Sequence, residues 1–205
     1  MRFLLLSVVI LAVASVAQAG IININYNFNT SMAPTAQPAH VALTDMEFDS
    51  PNGGTSNRVV RSGSDYCVDA NGFSTNAGIG GMWVFYATVE AGYQLDVTSF
   101  SVDGRQVDAD SPWRFFANCT GGDLSSVGIA TTSWQTLSNS SGLPTGMTGD
   151  LFFEVDANEA ANYGAEFQLD NVNIDGIVTA TPEPATLSLL ALGALVLVRR
   201  ARRSR

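Results

Sequence analysis

The middle of the chain alternates apolar and polar residues with a period of two, the pattern of β-strands that are buried on one face. The apolar members of four such runs are Trp83, Phe85, Ala87 and Val89; Tyr93, Leu95 and Val97; Trp113, Phe115 and Ala117; and Leu151, Phe153 and Val155, with Glu154 and Asp156 facing out. Clusters of Gly, Pro, Ser, Asn and Asp separate the runs and predict turns. No sustained helical period occurs between Gly20 and Ala180, so we expect little helix there.

Two of the strands change phase by one residue, which predicts β-bulges. The run that begins at Tyr93 changes phase near Thr98–Ser99, and the run between Phe167 and Ile174 does so at Asp170–Asn171. Many short strands separated by turns predict an all-β fold, an antiparallel β-sandwich of jelly-roll type.

The N-terminus has the features of a secretory signal peptide over residues 1–19. Arg2 precedes an apolar run over residues 3–17, and Ala17-Gln18-Ala19 places small residues where signal peptidase requires them. Cleavage after Ala19 would leave Gly20 at the mature N-terminus. A membrane anchor or a buried helix is the alternative, but the apolar run is short for a span.

The C-terminus combines three features over residues 179–205. Pro182-Glu183-Pro184 is followed by an uncharged apolar run, Ala185–Val198. As a helix, that run would be only about 21 Å long, against a hydrocarbon core of about 30 Å. The chain then ends in an arginine cluster that favours the cytoplasmic side, namely Arg199, Arg200, Arg202, Arg203 and Arg205.

This arrangement closely resembles the PEP-CTERM sorting signal of Gram-negative and related bacteria. The resemblance implies that an exosortase, an integral-membrane cysteine protease, removes the tail after transient anchoring in the inner membrane. The body would then be released or transferred to the cell surface, usually in species that make exopolysaccharide. An ordinary tail anchor is the alternative, and the same tail type ends some bacterial ice-binding proteins.

The body, residues 20–178, carries a second and weaker resemblance between Met82 and Val178. It is similar to the jelly-roll body that precedes many PEP-CTERM tails, and its closing strand resembles the last strand of carbohydrate-binding modules. In those modules a terminal-strand Asp often holds a structural calcium, which implies a calcium ligand at Asp170. The partners implied from an N-terminal strand are Asp45, Glu47 or Asp49; a hydrogen-bonded Asp at a bulge is the alternative.

Charge and composition exclude several functions. Between Gly20 and Ala180 there are four arginines, no lysine and eighteen acidic residues, so the net charge of the body is −14. Such a body repels nucleic acid, and an acidic polysaccharide would need bridging metal ions. Lysine nucleophiles are excluded, and the single histidine, His40, lies in a proline-rich stretch that is expected to be exposed.

The two cysteines leave two alternatives open. Export makes a disulfide between Cys67 and Cys119 possible, and it would contribute roughly 3–4 kcal/mol of stability. Two free buried thiols are the other alternative.

Candidate chemistry favours binding over catalysis. Trp113, Trp134 and Tyr86 are candidate stacking residues for a glycan, although strand tryptophans usually fill cores. No Gly-x-Ser-x-Gly nucleophile elbow, phosphate-binding loop or dinucleotide-binding fingerprint occurs. The sequence therefore favours a non-enzymatic exported surface or matrix protein that interacts with exopolysaccharide. A small glycan hydrolase or lyase with two converging carboxylates is the first alternative, and an ice-binding protein is the second.

Overall fold

The computed structural model describes residues 19–50, 53–72, 81–107, 113–158 and 165–181, together with positions 193, 196, 199 and 200. Within these residues, thirteen strands form two antiparallel sheets, which confirms the predicted β-sandwich. The six-stranded sheet contains β1 (Ala19–Tyr26), β4 (Ser56–Ser62), β5 (Asp65–Ala70), β7 (Tyr93–Gln106), β11 (Gln135–Asn139) and β13 (Phe167–Ala180). The seven-stranded sheet contains β2 (Val41–Leu43), β3 (Glu47–Asp49), β6 (Gly81–Val89), β8 (Trp113–Cys119), β9 (Gly122–Asp123), β10 (Gly128–Ala130) and β12 (Gly149–Asn158).

Aromatic residues on the inner faces hold the two sheets together. Phe167 of β13 contacts Trp83 and Phe115 of the other sheet, with ring centroids 5.8 Å and 5.5 Å apart. Tyr26 of β1 lies 4.6 Å from Phe85 of β6. All five side chains are almost completely buried. They supply a large share of the apolar area that drives folding, because aromatic side chains bury the most surface per residue.

Strand β13 is the centre of the six-stranded sheet. It pairs with β7 along its whole length, with β5 at its start and with β1 over its second half. Its register with β7 shifts between Asp170 and Asn173, where Asn171 has a φ of 49°, and again between Asp175 and Gly176, opposite Thr98. Both predicted bulges are therefore confirmed.

The first and last strands leave the sandwich at the same end. Ala19 pairs with Thr179, and the Thr181 N–H donates to the Gly92 carbonyl over 2.7 Å. Strand β13 thus runs through Ala180, two residues beyond the predicted end of the body. We call this end the exit pole and define it by Gly20, Ile21, His40, Glu90, Ala91, Gly92 and Thr181.

Gly104 of β7 occupies a position where a side chain does not fit. A Cβ atom there would lie 2.8 Å from the Phe167 ring and 3.0 Å from the Phe115 ring. We expect Gly104→Ala to lower the free energy of unfolding of the body by about 1–3 kcal/mol, because both rings must shift in a close-packed core. Urea unfolding measures this. Gly20→Ala is the control, since no atom lies within 4 Å of its Cβ position, and equal stability of the two variants would contradict the packing.

Candidate functional site

Trp134 lies half-buried just before β11, beside the outer face of the six-stranded sheet. The guanidinium carbon of Arg61 is 4.0 Å from a Trp134 ring centroid, and that of Arg105 is 5.0 Å away. Cations over an aromatic face are attracted by its negative charge distribution. The candidate stacking residue Trp134 therefore has two of the body's four arginines against its ring system.

Arg61 also holds the buried carboxylate of Asp170. Its Nη1 donates to Asp170 over 2.5 Å and to Asp103 over 3.2 Å. Asp170 has no solvent exposure, and its second oxygen accepts the N–H of Asn171 over 2.7 Å. Burial raises the pKa of Asp170 against the opposing effect of the Arg61 hydrogen bond and charge.

This geometry does not support the calcium site implied for Asp170. The Arg61 guanidinium contacts Asp170, Asp103 and Asp65, so these carboxylates already share a cation. Glu47 and Asp49 lie on β3 in the other sheet. Asp45 lies near Tyr26, whose pKa is raised by burial and, to a smaller extent, by the Asp45 charge. Among the described residues, no three His, Cys, Asp or Glu side chains come together to hold a metal ion. A hydrogen-bonded Asp at a bulge, the alternative reading, fits these contacts.

A row of hydroxyl groups continues from Trp134 along β11 and β7. Thr136 donates to Asp103 over 2.6 Å, and Ser138 pairs with Ser101 across the two strands. The row ends in an open hollow of about 390 Å³ that is lined by Ser99, Phe100, Ser101, Ser138, Asn139 and Ser140. We call the row the polar strip and define it as Trp134, Thr136, Ser138, Ser140, Asp103, Ser101 and Ser99. Six residues of extended chain give it a length of about 20 Å.

Tyr86 is exposed on the opposite sheet, as its strand parity predicts. Its side chain is 51% exposed, and its cross-strand partner Phe152 is 36% exposed. Thr88 donates to Asp150 over 2.8 Å beside them. The two rings form a small aromatic patch on the outer face of the seven-stranded sheet.

The remaining candidate residues are one tryptophan and the two cysteines. Trp113 begins β8, but its side chain lies outside the described residues. Cys67 and Cys119 lie on opposite sheets as two free buried thiols, and not as a disulfide. Burial raises the pKa of the Cys67 thiol to about 11. The Cys119 sulfur lies 3.9 Å from the Met147 sulfur.

A pair of carboxyl groups on β12 bears on the alternative of glycan hydrolysis. Asp156 was expected to face solvent but is 7% exposed, and burial, followed by the charge and hydrogen bond of Glu154, raises the pKa of Asp156 to about 7. Glycosidases hold their two carboxyl groups about 5–10 Å apart so that a sugar or water fits between them. Asp156 is instead buried within the sheet, where the Asn118 amide donates to it over 3.5 Å, so its carboxyl group is not open to a sugar chain.

Most of the processing residues fall outside the part of the chain that the structure describes. These are Ala17, Pro182, Glu183, Pro184, Arg202 and Arg203. Ala19 begins β1, and the backbone is helical at Arg199 and Arg200. Among the described residues, no helix is both long enough and apolar enough to cross a bilayer.

Comparison with protein families identifies the tail. Residues 180–203 match the PEP-CTERM protein-sorting motif. The chain carries a PEP-CTERM sorting signal. This signal implies export, anchoring of the tail in the membrane and processing by an exosortase. The match begins at Ala180, the last residue of β13, so the PEP-CTERM signal follows the sandwich without a linker.

Comparison with solved structures returns remote similarities, among them several carbohydrate-binding modules. The CBM22-1 xylan-binding domain of Paenibacillus barcinonensis Xyn10C is 12% identical over 78% of this chain and 94% of its own, with a TM-score of 0.44. A CBM4 structure is 12% identical over 64% and 86%, with a TM-score of 0.43. CBM36 in complex with calcium and xylotriose is 12% identical over 65% and 98%, with a TM-score of 0.39. No curated protein matches the sequence.

Sequence reasoning missed Arg61 and Arg105 as neighbours of Trp134. Their outward positions follow from strand parity, since Arg105 continues the polar phase of β7 after the bulge. Their convergence on Trp134 does not follow from parity, because it depends on how β4, β7 and β11 are ordered in the sheet.

Arg61 should be the most costly arginine of the body to remove. We expect Arg61→Ala to lower the free energy of unfolding by about 3–5 kcal/mol, because it leaves the Asp170 carboxylate buried without a cation. The loss should shrink at acidic pH, where Asp170 takes up a proton, and in the Arg61→Ala, Asp170→Asn double variant. Denaturant unfolding at two pH values measures both effects.

Arg58→Ala is the matched control on the same strand. Arg58 donates to two backbone carbonyls and stacks on Tyr66, so its removal leaves no buried carboxylate without a cation. We expect that variant to lose about 1 kcal/mol or less. Equal losses for the two arginines would contradict the role assigned to Asp170.

Proposed function

We propose that this chain is an exported, non-enzymatic protein whose β-sandwich binds a neutral polysaccharide along the polar strip. Signal peptidase would remove residues 1–19, and an exosortase would remove the tail. The mature body would then act at the cell surface or in the extracellular matrix. The observation that carries the binding proposal is the continuous row of hydroxyl groups that ends at Trp134.

The polar strip offers what a sugar chain requires. Sugar hydroxyls need hydrogen-bonding partners, and the C–H faces of sugar rings pack against aromatic or planar groups. Ser101, Ser138 and Ser140 supply hydroxyls around the open hollow, and Trp134 with its arginines supplies a planar boundary. A length of about 20 Å accommodates several sugar units.

The charge of the body favours a neutral ligand. Asp103 lies within the strip and Asp175 beside it, where it accepts a hydrogen bond from Ser99 over 2.6 Å. With a net charge of −14 on the body, an acidic polysaccharide would be repelled at low ionic strength. Binding of an acidic polymer would therefore require a divalent cation as a bridge.

The sorting proposal predicts loss of the C-terminal tail in a host with an exosortase. We expect mass spectrometry of the surface-located protein to show Gly20 at the N-terminus and an end near Pro182–Pro184. Replacing Pro182, Glu183 and Pro184 by alanine should leave a membrane-bound precursor that retains Arg205. Surface-located protein that still carries Arg205 would contradict this proposal.

The binding proposal predicts retention of the purified body, residues 20–181, by a neutral polysaccharide such as xylan in affinity electrophoresis. We expect Trp134→Ala to weaken binding about tenfold, because it removes the aromatic contact at the end of the strip. An anionic polymer such as alginate should be retained only when calcium is added. No reducing sugar should be released during incubation.

Tyr86→Ala is the matched control on the other sheet. It removes an exposed aromatic ring of similar kind, so it should leave binding unchanged if the polar strip is the ligand surface. Loss of binding with Tyr86→Ala alone would place the ligand on the patch formed by Tyr86 and Phe152, and would overturn the assignment to the strip.

A further inference from the structure

Only a short segment joins the exit pole to the apolar run of the tail. The Thr181 N–H is bound to the Gly92 carbonyl, so the folded sheet ends at that residue. Only Pro182, Glu183 and Pro184 separate it from the apolar run that begins at Ala185. Four residues of extended chain span at most about 14 Å. A protease that cleaves near Pro182–Pro184 must therefore work in contact with the exit pole.

Both membrane-directed segments depart from this pole. In the β1–β13 pair, Ala19 is the partner of Thr179, which places their Cα atoms about 5 Å apart. The predicted signal-peptide junction and the sorting motif are therefore neighbours in space. Whichever of the two segments is in the membrane, the exit pole is the end of the sandwich nearest to it.

The exit pole presents an exposed apolar residue. Ile21 is 89% exposed, more than any other large apolar side chain of the described sandwich, and it pairs with Ile177 across β1 and β13. Across β13 from β1, at the start of β7, His40 stacks on Tyr93 with centroids 3.8 Å apart and contacts Glu90 over 2.6 Å. His40, expected to be merely solvated, therefore holds the turn at residues 90–92 in place.

We propose that the exit pole is a docking surface for the sorting protease, which recognises the folded body together with Pro182–Pro184. This rests on the sorting half of the proposed function. The rigid turn at Glu90–Gly92 and the apolar side chain of Ile21 would contact the protease while the motif enters its active site. The fold of the body, and not only the tail sequence, would then set the rate of processing.

Two surface substitutions on the full-length chain test the docking surface. We expect Ala91→Arg and Ile21→Ser each to slow tail removal about fivefold in a pulse–chase experiment in an exosortase-containing host, the effect of truncating or blocking one contact of moderate strength. Ala91 and Ile21 are exposed, so the fold should be retained. Ser126→Arg and Val127→Ser make the same changes at exposed positions next to β10, at the opposite end of the sandwich, and should be processed at the unsubstituted rate.

A flexible linker inserted before the motif distinguishes docking of the body from recognition of the tail sequence. When about ten Gly and Ser residues are inserted between Thr181 and Pro182, the tail can enter the protease without the pole. In that background, Ala91→Arg and its parent should be processed at equal rates. Unchanged rates for both pole variants without the linker, or an undiminished difference behind it, would overturn the proposal.

Further outcomes distinguish a failure of the docking proposal from a failure of the proposed sorting function. An unsubstituted chain that keeps its tail would refute the sorting function itself. Weaker membrane retention of Ile21→Ser in a host without exosortase would assign the pole to lipid instead and overturn docking to the protease. Sequencing the mature N-terminus of Ile21→Ser excludes an effect on signal-peptide removal, and Ala91 lies far from that junction in the sequence.

Discussion

The ladder of backbone hydrogen bonds on β13 is the constraint on which the rest of the molecule depends. This strand joins β1 from the start of the described chain with β7 and β5 from its middle. Its inner face buries Phe167 against the second sheet, and its outer face carries Asp170 to Arg61. Its last residue is also the first residue of the sorting motif. The aromatic packing of the core, the buried Asp170 and the start of the sorting motif therefore all lie on one strand.

The sequence was sufficient for the sandwich because large apolar residues mark its long strands at every second position. The same regularity revealed both bulges, since a one-residue slip in an aromatic pattern changes which face is buried. The short strands were not individually predictable. Strand β11, for example, has a single large apolar residue, Leu137, and its place in the sheet follows from pairing with β7.

The candidate site was only partly predictable for the same physical reason. Trp134 and the exposed ring of Tyr86 could be named from composition and parity. The partner of Asp170 could not, because Arg61 is 109 residues away in sequence and meets it only through the order of strands β4, β5 and β13. The burial of Asp156 could not be predicted either. The alternation of a strand shows which face a residue is on, but not whether other residues cover that face.

The antiparallel pairing of β1 and β13 has a consequence for the lifetime of the mature protein. After both cuts, the two new chain ends would emerge side by side from a completed sheet, with the last amide already engaged by Gly92. Proteolysis concentrates at loose chain ends, and here only a few residues would protrude. A protein retained outside the cell among secreted hydrolases would thus be durable because of where its strands end.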